Sequence, residues 1–282
     1  MNDVLMAFLL TLLVGLATGL GGLFVIATQN TSRRFLALCL AFAAGVMIYI
    51  SFAEVLFSAL IDMEEIFYDD GVYHYGGWSV LIISVSFFIG MVFMAIFDKL
   101  IPHHVQVHEM LDEKQEKVGI AFSADDRKEL KRTGILSTFA VSIHNLPEGL
   151  MVLMAALMDP AMGLGIALAI AVHNIPEGIA IASPIYNATG SKAKALWYST
   201  LSGLTEPLGA FVAWLLLMNL FDYIEDLFPI VFANIGGIMV FVAIVQLLPT
   251  AQKFGKHGEV MKWLFCGMAF MAGSLVFLDF VI

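Results

Sequence analysis

The chain has 282 residues, of which 60% are hydrophobic and 13% charged, with a net charge of −10 and a mean hydropathy of +0.89. A soluble core of this length does not need that much apolar surface, so the composition excludes an ordinary globular domain and predicts an all-α integral membrane protein. Two cysteines, Cys39 and Cys266, both lie in apolar runs and form no C-x-x-C pair, which excludes a disulfide framework and predicts two buried, inert thiols.

A spanning helix needs about 20 mostly apolar residues. Eight stretches qualify, at 3–28, 35–60, 78–100, 135–157, 160–183, 193–218, 228–249 and 260–281. The first follows only Asn2 and Asp3, without a basic leader, and reads as a retained helix. The second carries "AGVMIYISFAEVL" (44–56). Its Glu54 is either a lining ligand or proton carrier of a pathway, or a polar contact. Its Met47 is a weak candidate soft ligand. Between the third and fourth spans lies a long segment, 101–134, read as a cytosolic loop. There His103, His104 and His108 sit among acids, either as a weak metal-sensing or delivery site or within a solvated linker.

The fourth span holds "HNLPEG" (144–149) and the fifth holds "HNIPEG" (173–178); the sixth adds "TEPLG" (205–209). An ionised carboxylate at a bilayer centre costs about 2.5–3.5 kcal/mol on insertion scales. Glu148, Glu177 and Glu206 together therefore cost roughly 8–10 kcal/mol unless something offsets it. No Lys or Arg lies mid-span, which leaves a metal cation or protons. His144 and Glu148 are four residues apart and share a helix face, with Asn145 beside them; His173, Asn174 and Glu177 repeat the arrangement. Imidazole, amide oxygen and carboxylate together suit zinc, iron(II), manganese(II) or cobalt(II) better than copper(I). Pro147, Pro176 and Pro207 each remove a backbone donor, predicting broken helices with freed carbonyls that line a polar cavity.

With eight spans the loops alternate sides, and all 14 Lys and Arg then fall on one side: Arg33, Arg34, Lys99, the run from Lys114 to Arg132, Lys192, Lys194, Lys253, Lys256 and Lys262. That side is cytoplasmic by the positive-inside rule, which places both termini outside. The acidic external stretches 62–70 and 221–226 either concentrate cations near an entrance or simply solubilise loops. The spans also repeat. "GLATGLGG" (15–22) matches "GLTEPLGA" (203–210), "AGVMIYISFAEVL" matches "GGIMVFVAIVQLL" (236–248), and "GMVFMA" (90–95) matches "GMAFMA" (267–272). Spans 1–3 thus resemble spans 6–8 with opposite direction, a 3+2+3 inverted repeat of the kind that builds transporters around a midplane site.

Three function classes fit membrane glutamates and histidines. An intramembrane metallohydrolase wants a general-base glutamate, as in H-E-x-x-H, whereas Asn145 stands beside His144. A proton-coupled carrier of organic solutes does not need two His-Asn-x-x-Glu faces. A divalent-metal transporter does. The two strings resemble the ZIP (Zrt-, Irt-like protein) family, and most closely its bacterial ZupT-type branch, over essentially the whole chain. The resemblance implies a binuclear metal site on His144, Asn145, Glu148, His173, Asn174, Glu177 and Glu206, with the glutamates bridging two ions. It also implies uptake of Zn²⁺ and related divalent ions into the cytosol, elevator-like movement of spans 1, 4, 5 and 6, and a homodimer in the plasma membrane. The expected partners are divalent metal ions and membrane lipid, with no nucleic acid. No covalent chemistry, phosphate-cradling loop or cofactor is expected.

Overall fold

The computed structural model describes residues 3–28, 32–69, 72–73, 77–100, 122–158, 160–224 and 227–281. The membrane-spanning, helical class expected from composition holds. The helices are α1 (Asp3–Thr28), α2 (Arg33–Ile50), α3 (Phe57–Ile66), α4 (Trp78–Leu100), α5 (Ala124–Met158), α6 (Pro160–Thr189), α7 (Lys192–Gly203), α8 (Thr205–Ile224), α9 (Phe228–Phe241), α10 (Leu248–Phe254) and α11 (His257–Val281). Two-residue strands at Tyr68–Asp69 and Val72–Tyr73 pair antiparallel beyond α3. Seven stretches among the described residues are long and apolar enough to cross a bilayer. The span expected at 193–218 is divided instead between α7 and α8 at Leu204.

Several helix ends lie further out than the hydrophobic pattern alone places them, because local capping extends them. Residues 124–134, read from sequence as part of a loop, are the first turns of α5. Ser123 and Asp126 cap that helix reciprocally: the Asp126 amide donates to Ser123 Oγ and the Ser123 amide to Asp126 Oδ2, each at 3.1 Å. Asp126 then pairs with Arg33 at 3.3 Å and Lys253 at 3.0 Å, so this end of α5 is docked onto α2 and α10. The rest of the expected loop, with His103, His104 and His108, lies outside the described residues. Ser32 caps α2 and Ser191 caps α7 in the same manner, each accepting from an amide three residues on.

The expected proline breaks are corrected in part. Helices α5 and α6 continue through Pro147 and Pro176, and the chain is interrupted just before Pro207, at Leu204. Neighbouring helices press on the proline turns. A Cβ added at Gly209 would collide with the carbonyl of Leu146, and one at Gly21 with the carbonyl of Ile175. Close backbone approach of this kind is how membrane helices associate when lipid is as apolar as the side chains.

Helices α1, α5, α6, α7 and α8 pack on one another; α2, α3, α4, α9, α10 and α11 form a second group, joined to the first chiefly where α2 crosses α6. Close contacts recur in matched pairs. Gly45 faces the Leu264 carbonyl as Gly237 faces that of Phe87; Gly149 faces the Glu206 carbonyl as Gly178 faces that of Thr18; and Gly15 and Gly203 face each other's carbonyls. A π-helical turn also occurs twice, at Ser51–Leu56 and Val242–Leu247, each inside one of the two matched stretches of spans 2 and 7. Single π turns inside helices are uncommon and cluster at functional sites. Large apolar side chains on α4 and α11, such as Phe88, Val92, Phe265 and Phe277, are exposed and face where lipid would lie. Cys266 is exposed among them, and Cys39 is partly covered; the expectation of two buried thiols fails for Cys266, because α11 turns that face outward.

Candidate metal centre

Each HN-P-EG string lies mid-helix, so its histidine and glutamate, a turn apart, project together toward the seam between α5 and α6. One ligand atom from each of His144, Glu148 and His173 lies within 4.8 Å of the others. His144 Nε2 is 2.7 Å from Glu148 Oε1, His173 Nε2 is 2.8 Å from the same oxygen, and Glu177 Oε1 is 3.8 Å from His144 Nε2. Glu206 accepts a hydrogen bond from Asn174 Nδ2, which brings α8 into the cluster. His144, Asn145, Glu148, His173, Asn174, Glu177 and Glu206 are all buried.

The two asparagines are held alike. Asn145 Nδ2 donates to the Ser202 carbonyl and Asn174 Nδ2 to the Val14 carbonyl, both at 3.3 Å. Each amide nitrogen is thus committed to backbone, and each Oδ1 is left without a partner. The same is true of Glu148 Oε2, Glu177 Oε2 and Glu206 Oε2, and of the Nδ1 atoms of both histidines. A buried acceptor without a donor costs about 1–3 kcal/mol. Lone-pair atoms gathered from three helices, with no Lys or Arg among them, are a coordination set that a divalent cation would satisfy. Sequence reasoning missed the roles of Val14 and Ser202. The signal was present, since each residue immediately precedes one member of the "GLATGLGG"/"GLTEPLGA" match.

A cavity of about 140 Å³ lies against the cluster, lined by His144, Glu148, His173, Glu54 and Ser58 with apolar walls from Ile50, Val55, Met151, Ile166, Ile170, Phe232 and Leu275. Glu54 is exposed to it from the first π turn. Met47 is 1% exposed, packed in the apolar cluster of α2 with Leu40, Ile238 and Leu247; it does not line the cavity.

Fold and site together define a helical membrane protein with a buried cluster of histidine, asparagine and glutamate side chains whose free lone pairs a divalent cation would satisfy. The family described as ZIP Zinc transporter matches residues 123–278, which include all seven clustered residues. The chain is 43% identical over 279 residues to "Zinc transporter ZupT" of Nitratidesulfovibrio vulgaris, covering 98% of each. It is 42% identical over 285 residues to the protein of that name from Clostridium perfringens, covering 98% of this chain and 97% of the other. It is 44% identical over 278 residues to that of Lysinibacillus sphaericus, covering 98% and 99%. The chain belongs to the ZIP family. It is therefore a multi-pass membrane transporter of divalent metal ions and not an enzyme.

Proposed function

We propose that the chain imports Zn²⁺, and with it Fe²⁺, Mn²⁺, Co²⁺ and Cd²⁺, into the cytosol through a binuclear site between α5, α6 and α8. The observation that carries this reading is the set of unpartnered acceptors on His144, Asn145, Glu148, His173, Asn174, Glu177 and Glu206. Glu148 and Glu177 bridge the two ion positions, since each offers two oxygens between the two histidines. The relatives named as zinc transporters support zinc as the principal cargo. The other ions share the same ligand preferences.

The chain acts as one transporter domain with a 3+2+3 inverted repeat, both termini outside and the basic ends of α2, α5, α7 and α10 in the cytosol. The matched glycine contacts and the paired π turns support the repeat. Under this topology the cavity with Glu54 opens outward from the site, and Glu54 is the first carboxylate an arriving ion meets. The group formed by α1, α5, α6, α7 and α8 moves against the remainder to release the ion. Initial-rate uptake of a panel of divalent metals into proteoliposomes, with elemental analysis of the purified protein, tests the reading. Saturable uptake led by Zn²⁺ with up to two bound ions per chain is expected. Metal-independent proton flux without metal uptake would overturn it.

A further inference from the structure

The inverted repeat pairs the wall of the cavity with residues on the cytosolic half of the repeat-related helices. At the common offsets of the repeats, Glu54 matches Gln246, Ser58 matches Thr250, Ile166 matches Ser137, Ile170 matches Val141, and Leu275 matches Asp98. The first members line an open cavity. The second members are shut: Ser137 and Val141 are each 1% exposed, Thr250 3% and Gln246 6%. This closed half is nonetheless polar. Ser137 Oγ is buried without a partner, and Thr133 Oγ1 lies 3.3 Å from Thr250 Oγ1. Hydroxyls and amides facing a dry seam are expensive in lipid unless the seam is at times wet or occupied.

One group of residues holds that seam closed. Arg132 of α5 places Nη2 2.6 Å from Asp98 Oδ1 and 2.7 Å from the Asp98 carbonyl. Gln246, in the second π turn, donates to the same Asp98 oxygen at 2.5 Å. About two turns along α5 from Arg132, Phe139 stacks on Phe97 of α4 with ring centres 3.7 Å apart. The Arg132 and Asp98 side chains are 13% and 19% exposed. The neighbouring pairs from α5 to Arg33 and Lys253 involve bases that are 47% and 40% exposed and are correspondingly weak. The two mouths also differ in charge. Outside, Glu54 faces the cavity, and Leu275 and Ala161 stand where the repeat places Asp98 and Arg132. Inside, the carboxylate is covered by a guanidinium, which repels a cation for as long as it stays there.

We infer that Arg132, Asp98 and Gln246 form the inner gate of the transport route, a lock between α5 and the α4–α10 side that must part before the ion can leave. The inference rests on the inverted-repeat transport reading above. Its test uses the full chain in membrane vesicles in a Cys39→Ala, Cys266→Ala background. Ser137→Cys reports the closed inner seam, labelled by an impermeant maleimide from the cytosolic face. Ser58→Cys reports the outer cavity, labelled from the opposite face. Adding Arg132→Met is expected to raise Ser137→Cys labelling about tenfold, equivalent to ~1.4 kcal/mol of gate closure, without raising Ser58→Cys labelling. The exchange Asp98→Arg with Arg132→Asp is expected to restore protection. Unchanged Ser137→Cys labelling in Arg132→Met overturns the gate, as does a rise at both reporters together, which marks general loosening. If Zn²⁺ alters Ser137→Cys labelling while Arg132→Met does not, the gate fails and the transport reading stands. If neither Zn²⁺ nor Arg132→Met exposes Ser137→Cys, both fail.

Discussion

Glu177→Gln separates charge from shape at the centre of the site. The substitution keeps the side-chain volume and one acceptor oxygen and removes one negative charge. Glu177 lies 3.8 Å from His144 Nε2, and its Oε2 has no partner, so no internal hydrogen bond is lost with the charge. Two unit charges 4 Å apart attract by about 4 kcal/mol at an effective dielectric constant of 20, and a divalent ion doubles that to ~8 kcal/mol. The ~2.5–3.5 kcal/mol cost of keeping a carboxylate in the membrane, which the amide does not carry, is present with or without the ion and so bears on metal-free stability and not on binding. The loss of metal binding is therefore at most ~8 kcal/mol, or between five and six decades in affinity. The metal-free protein is expected to move the other way and to be as stable as the parent or more so. The assay is initial Zn²⁺ uptake per monodisperse protein in proteoliposomes, paired with thermal unfolding in detergent with and without Zn²⁺. Near-normal uptake would refute the ligand role. A large drop in metal-free stability would refute the claim that Glu177 is unsatisfied without its ion.

Three other outcomes are expected. Gly149→Ala drives a methyl group into the Glu206 carbonyl, so it should cost about 1–3 kcal/mol of stability and displace α8 from the cluster; Tm and uptake both report it, and an unchanged pair of values would contradict the close packing. Glu54→Gln should slow uptake at low Zn²⁺ while leaving the saturated rate near normal, because Glu54 lies on the cavity wall outside the cluster; a collapse of the saturated rate would place it in the site itself. Asp69→Cys should react with an impermeant thiol reagent applied outside and Lys192→Cys should not; the reverse pattern would invert the orientation drawn from the basic loops.

The ligand set was legible because its chemistry conflicts with its surroundings. His144, Glu148, His173 and Glu177 are conspicuous in apolar runs, and helical spacing alone places each pair on one face. The partners that orient Asn145 and Asn174 are backbone carbonyls of Ser202 and Val14; a carbonyl leaves no trace in residue identity, so the sequence marked them only by their places just ahead of the matched "GLATGLGG" and "GLTEPLGA" stretches. The start of α5 was hidden for another reason. Its capping pair, Ser123 and Asp126, sits in a charged stretch whose helicity is set by local hydrogen bonds and not by apolar periodicity. Pro147 and Pro176 misled in the opposite sense. Each removes a donor, but the neighbouring helices pack so tightly on these turns that the helix runs on. The bond between Asp98 and Gln246 joins residues far apart in sequence, and no spacing rule connects them.

The glycine contacts beside the ligands have a consequence for ion choice. Gly149 and Gly178 set α8 and α1 at backbone distance from the two HN-P-EG turns, and main-chain atoms cannot switch rotamers to accommodate a guest. Flexible cages fit ions of many radii by letting side chains swing, and they select poorly. Here the frame that carries the seven donors has a fixed bore. Under the proposed metal reading, preference among divalent ions would be a matter of ionic radius measured against this frame, and substitutions that widen or narrow the helix spacing should retune it without touching any of the seven residues.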